Sequence, residues 1–416
     1  MTEPEAKDWR PDDAECRLAP ATRNRLVAAG LILGSGLVGG SWLAAGGGGA
    51  ARFWQSYYVA FCFYLSLSLG ALFFVLLHHL VGATWSVVVR RVAEVFSANL
   101  LLLAVLFVPV AVAGGAVLPC SMGSQSMGIH GQEAHATLPA ATAFFLKREF
   151  FLARFALYFV IWVGLALAFW RRSVAQDESG DAALTRRNER WSGLAMVVYG
   201  FSVAFGSVDL LMALNPPWQS TIFGVYFFSG CAVGFYALLP LAVLALQAAG
   251  RLRRAVTPEH FHDIGKLLFA FVFFWSYIAF SQYMLIWYAD LPEETNWFLK
   301  RASPEAVPWG FASLVLLFGH WMVPFAALLS REIKRRKALL AFWCVWLLLA
   351  HYLDLYWLAA PEWWHARAVP LNVSDGGCLV GLGFIYVAGA LLLSGNHALL
   401  PVKDPRLAES LAFENY

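Results

Sequence analysis

The chain has 416 residues, of which 60% are hydrophobic and only 14% charged, with 33 Phe, 18 Trp and 14 Tyr. A soluble domain usually carries about 25% charged residues, so one water-soluble core is excluded and lipid must cover much of the apolar surface. The formal net charge of +3 points to no nucleic-acid partner, because in such a chain the placement of charge matters more than its sum.

A charged, Pro-containing lead (residues 1–25) precedes the first apolar run, which lacks a small-residue cleavage pattern and reads as a retained helix. Crossing a bilayer takes about 20 largely apolar residues. Ten windows qualify, at 26–46, 56–80, 94–118, 151–170, 191–214, 221–248, 264–289, 308–330, 338–359 and 376–396. Long unbroken runs without strand-like alternation predict helices rather than a barrel. The expected fold is an all-α integral membrane protein, with a ten-helix domain over 26–396 between the lead and a tail at 397–416.

The basic residues set the orientation. With the N-terminus inside, 23 of the 30 Lys and Arg fall on the inner side and seven (Arg52, Lys147, Arg148, Arg154, Lys300, Arg301 and Arg367) on the outer side. Positive charge collects in cytoplasmic segments, so both termini are expected in the cytoplasm. The stretch 171–190 reads as a charged inner linker, and the Gly46–Gly49 run as a flexible end to the first helix. The long outer loop, about 119–150, holds HGQEAH. His130, Glu133 and His135 of that motif could ligate a metal, but a third firm ligand is missing, and no metal site is expected.

Six cysteines stand at Cys16, Cys62, Cys120, Cys231, Cys344 and Cys378, with no Cys-x-x-Cys and no haem-attachment motif. Neither an iron–sulfur cluster nor a disulfide framework is expected. Pro109, Pro240 and Pro324 fall inside spans and should free backbone carbonyls there.

Ionisable groups inside the membrane are costly unless paired or hydrated, which makes each a functional candidate. Asp209 lies towards the outer end of the fifth span, and His320 near the middle of the eighth. His351 and Asp354 share one face of the ninth at i,i+3, and Tyr277, Ser281 and Gln282 add hydrogen-bonding groups on the seventh. An inner set comprises His78, His79, Glu94, His262 and Asp263. Together these groups suit a proton path. The alternatives are that the inner set reaches the interface, that Asp354 and His351 lock two helices together, and that His320 is a core histidine bonded to a carbonyl. His320 and His351 are also the candidate axial pair for a membrane haem, but no second matched pair exists.

The stretches SVDLLMALNPPWQSTIFG (207–224), FWSYIAFSQYMLIWYADLPEET (274–295), HWMVPFAALLSREIKRRKAL (320–339) and HYLDLYWLAAP (351–361) resemble the ActF membrane subunit of alternative complex III. That complex is a bacterial quinol:cytochrome c, or electron acceptor, oxidoreductase. The subunit looks like a member of the NrfD/polysulfide-reductase membrane family. At Asn215 and Pro217 the sequence departs from the family's acidic residue and histidine. The resemblance implies two four-helix bundles plus two peripheral helices in the bacterial inner membrane, with no cofactor in this chain. It implies as partners an NrfD-like quinol-binding sister subunit, an iron–sulfur subunit, c-type cytochrome subunits and a terminal oxidase, with haem c and iron–sulfur clusters carried by those chains. It also implies proton conduction, falling by position on Asp209, His320, His351, Asp354, Tyr277 and Gln282. His78 and Glu94 complete the candidate path from the inner side. Rival readings are a subunit that itself binds and oxidises quinol, and an independent secondary transporter.

Overall fold

The structure, a computed structural model, describes residues 13–46, 49–114, 117, 144–302, 307–363 and 371–415. The motif at 130–135 and Cys120 lie outside the described residues. The described residues contain ten helices long and apolar enough to span a membrane: α1 (Pro20–Ala45), α2 (Ala50–Leu80), α3 (Val87–Ala113), α4 (Arg148–Ser179) and α5 (Ala182–Leu214), then α6 (Phe223–Ala248), α7 (Pro258–Ala289), α8 (Pro308–Leu329), α9 (Lys337–Trp363) and α10 (Val373–Ser394). The protein is an all-α, multi-pass membrane protein.

Two closed rings of four helices form the body. In the first, α2 packs on α3, α3 on α4, α4 on α5 and α5 back on α2; in the second, α6 to α9 close in the same order. The rings meet where α2 lies along α6, which makes α2 the most buried span. Gly70 allows that contact, because a Cβ there would stand 2.1 Å from the carbonyl oxygen of Cys231. Outside the rings, α1 and α10 pair with each other and rest on α2 through α10. A Cβ on Gly34 would meet the Gly381 carbonyl at 2.6 Å, and such small-residue contacts are how helices associate where lipid offers no hydrophobic drive.

The expected linker at 171–190 is instead helical. α4 runs on to Ser179 and α5 starts at Ala182, so only Gly180 and Asp181 turn the chain. Gly180 takes a left-handed φ of 70°, and Asp181 caps α5 by accepting from the Ala183 amide. Hydropathy marks where a helix leaves the lipid and not where it ends; here Gln176–Thr185 and Arg172–Asn188 hydrogen bonds hold the two helices together beyond their apolar stretches.

The described segments before α1 and after α10 meet at one end of the rings. The Leu399 amide donates to the Cys16 carbonyl, and from there the tail crosses the ends of both rings. It accepts from Arg91 at Ala398, donates from Lys403 to the Glu178 carbonyl, pairs Arg406 with Glu189 at 2.6 Å, and bonds Trp85 and His260 through Ser410. An even number of spans follows directly from this shared end.

Candidate functional site

The polar residues of the second ring gather around α9. His351 and Asp354 lie one turn apart, both 1% exposed. His351 Nε2 lies 2.8 Å from Ser66 Oγ of α2, and Ser66 Oγ itself donates to the Phe63 carbonyl at 2.7 Å. A hydroxyl has one proton, so Nε2 is the donor of the His351–Ser66 bond and Nδ1 carries the lone pair. That Nδ1 has no hydrogen-bond partner among the described residues. Gly230 and Gly234 of α6 make room for the ring: a Cβ on either would come within about 3 Å of it.

Asp354 Oδ1 accepts from Tyr226 Oη on α6, and Oδ2 accepts from Trp275 Nε1 on α7 at 3.3 Å. Trp275 also covers His320, with ring centroids 3.9 Å apart, and His320 in turn lies 6.4 Å from His351, centroid to centroid. The expected carbonyl partner of His320 is not found: it is fully buried, and neither ring nitrogen has a hydrogen-bond partner among the described residues. It sits in a π-helical stretch, Leu316–Met322, just before Pro324. Such bulges are rare and concentrate at functional sites. Pro324 explains this one, since it withholds the N–H that would close on the His320 carbonyl. Protein atoms thus surround both imidazoles, and among the described residues no three His, Cys, Asp or Glu come together as metal ligands.

The other expected site residues lie elsewhere. Asp209 joins α5 to α4 through a bidentate pair with Arg154, Oδ2 to Nε at 2.8 Å and Oδ1 to Nη2 at 2.6 Å, with Tyr158 Oη at 3.0 Å. Gln282 is buried and accepts from Ser220 Oγ at 3.0 Å. Tyr277 is set apart from these groups: it is 57% exposed on the outer surface of α7, because its position points away from the Trp275 face that meets Asp354. α7 is apolar on every side, so hydropathy could not tell these faces apart.

The inner set is buried within the protein. His78 is 3% and Glu94 0% exposed. His78 Nδ1 bonds the Phe74 carbonyl at 2.8 Å and its ring stacks on Phe74. His79, also buried, has no hydrogen-bond partner for either nitrogen among the described residues. Glu94 lies between Arg91 (3.0 Å) and Arg90 (3.6 Å); Arg90 also pairs with Asp404 of the tail, and Arg91 with Asp177 at 2.8 Å. Arg90 and Arg91 are among the 23 basic residues that the charge distribution puts on the inner side. They are buried, and pair with carboxylates from α4 and the tail that no local pattern could reveal.

One contrast separates the central site from these networks. Among the described residues, the buried carboxylates Glu94, Asp209, Asp263, Asp375 and Asp404 each have a cationic partner: Arg91, Arg154, Lys266, Arg52 and Arg90 respectively. Asp354 is bonded by a phenol and an indole. Tyr226 and Trp275, which supply those bonds, were not legible as site residues, since aromatics abound in every span. No protein-family model matches the chain, and comparison with curated proteins likewise gives no match.

Proposed function

We propose that this chain is the cofactor-free, anchoring and proton-conducting membrane subunit of a respiratory quinol:electron acceptor oxidoreductase complex. The observation that carries proton conduction is Asp354, a carboxyl group buried on α9 and held, among the described residues, by the neutral donors Tyr226 and Trp275. Such a group can bind and release a proton without breaking an ion pair, whereas Asp209 cannot. His351 beside it offers the Nδ1 lone pair as the next acceptor, and on protonation can pass its Nε2 proton to Ser66. Imidazoles relay protons in this way because their two nitrogens exchange roles.

Towards the shared end of the termini, the Ser68–Tyr386 hydroxyl pair (2.9 Å) and then Glu94, His78 and His79 continue the series of exchangeable groups. Ordered water commonly joins such groups inside helix bundles. The oxidoreductase setting rests on the sequence resemblance of 207–224, 274–295, 320–339 and 351–361. Its test is purification of the tagged chain from its own membrane in mild detergent. Haem- and iron–sulfur-carrying subunits should co-purify in fixed ratio; a chain that emerges alone would remove the complex from the proposal and favour a transporter.

A further inference from the structure

Where the tail crosses the second ring, positive charge outweighs negative at the ends of α7 and α8. The chain leaves α8 at Leu329 and forms a short helix, Arg331–Arg335, before α9 begins. Lys266 pairs with Asp263, Arg335 with Glu259 and Arg336 with Glu332. Arg331 and Lys334 share one face of the short helix at i,i+3, and neither has a carboxylate partner among the described residues. Lys334 is the informative one, being only 8% exposed. Its stem lies over Gly265 of α7, where a Cβ would stand 2.9 Å from its Cγ. Its ammonium donates to the Leu328 carbonyl at 2.8 Å, and the carbonyl end of a helix favours a cation without neutralising it. Burial, and then the charge of Lys266, hold that ammonium below the ordinary lysine range. His262, also 8% exposed, lies within the fields of Lys266, Lys334 and Arg331, with Asp263 the opposing carboxylate. Its Nδ1 has no hydrogen-bond partner among the described residues. Cations crowded together with too few acceptors repel one another, so the cluster calls for an anion from outside the chain.

The level of the cluster says which anion. The apolar run of α7 starts at Ile264 and that of α8 ends at Leu329, so these side chains stand where hydrocarbon gives way to headgroups, a layer of about 5–7 Å on each side. Leu329, two residues before Arg331, is 58% exposed, which sets Arg331 beside lipid rather than open water. Phosphodiesters are the anions concentrated in that layer, and basic pockets between membrane helices hold anionic headgroups. We propose that Arg331, Lys334 and His262 bind the phosphodiester of one anionic glycerophospholipid. Exposed Arg331 is the clamp, since a guanidinium matches phosphate oxygens in pairs, and Lys334 adds a fixed charge beneath it. Two cations without carboxylates favour a net-negative lipid over a zwitterionic one, whose own cationic group would add to the repulsion. The site stands independently of the proton path and of any partner subunit.

The test is native mass spectrometry of the full chain, delipidated in detergent and titrated with phosphatidylglycerol or phosphatidylcholine. One phosphatidylglycerol per chain should be held in preference to phosphatidylcholine. Arg331→Gln should weaken that retention about fivefold, the effect of one basic residue at a membrane surface. Its side chain is exposed and makes no bond to the described residues, so the fold does not depend on it. Lys334→Met should weaken retention to a similar degree, and the double variant about 25-fold. Arg186→Gln removes an exposed cation of α5 on the same side of the membrane and should leave retention unchanged. An equal loss with Arg186→Gln would mean general attraction by positive charge and would overturn the proposal, as would equal retention of the two lipids. Displacement of phosphatidylglycerol by inorganic phosphate would also overturn it, by making the anion a soluble one.

Discussion

The guanidinium of Arg301 occupies the hydrogen-bonding gap that Pro361 leaves in α9. Proline at 361 cannot donate to the Trp357 carbonyl one turn earlier. Arg301 Nε donates there instead at 3.2 Å, while Nη2 takes the neighbouring Leu358 carbonyl at 2.9 Å and Glu362 at 2.9 Å. Burial pushes the guanidinium down to about 10, an effect Glu362 partly offsets, so it stays charged at neutral pH. Beside Pro109, Tyr57 donates to the Leu106 carbonyl at 2.9 Å, one residue on from the Val105 carbonyl whose helical donor that proline removes.

This relationship makes Arg301 and Pro361 energetically coupled. Arg301→Met should destabilise the protein by about 3 kcal/mol, because it leaves the Trp357 carbonyl without a donor and Glu362 with Lys300 alone. Pro361→Ala restores an N–H for the Trp357 carbonyl, so in the Arg301→Met background it should recover about 1 kcal/mol. A double-mutant cycle by denaturant unfolding in detergent reads both; strict additivity would mean the two sites are unconnected.

Asp354→Asn keeps size and hydrogen bonding but removes the exchangeable acid. In vesicles carrying the assembled complex it should leave subunit content intact and lower proton release per quinol oxidised at least tenfold. Asp354→Leu should also impair assembly, since Tyr226 and Trp275 lose their acceptor. An unchanged proton yield with Asn would retire the relay and leave only the anchoring role.

Asp209 should behave in the opposite way. Asp209→Asn breaks a buried bidentate pair and strands Arg154, a loss of about 3 kcal/mol, with proton yield per assembled complex unchanged. Thermal denaturation combined with the vesicle assay separates the outcomes. A stable variant with a lost proton yield would move the path into the first ring.

Orientation is open to reporter fusions. Fusions after Arg190 and Arg336, and at the C-terminus, should all report the cytoplasm, and one near Glu133 the opposite side, as the basic-residue distribution requires. A contrary signal at any one of them would break the ten-span topology, and contrary signals at all of them would reverse its inner and outer ends.

Most of the architecture was legible because a lipid-spanning helix needs a long apolar run, and ten such runs are hard to mistake. The boundaries were less so. Residues 171–179 are polar yet helical, because their partners across the α4–α5 hairpin, Thr185 and Asn188, come from later sequence. Asp354 and His351 could be named as one face of one helix by spacing alone. Their neighbours Ser66, Tyr226 and Trp275 lie on three other helices and became visible only with the fold. The same limit hid the burial of Arg90 and Arg91 and the exposure of Tyr277 on the outer surface of α7.

The strap that crosses the shared end of the termini follows all ten spans in the chain. It can therefore seat only after the last span has left the insertion machinery. Until then Arg90 has no Asp404, and Trp85 and His260 on the two rings have no Ser410. A chain that ended after the tenth span would carry its full set of spans with Arg90 paired to Glu94 alone, one carboxylate short of the closed arrangement. The closure of the bundle in this way depends on a segment made after its last span.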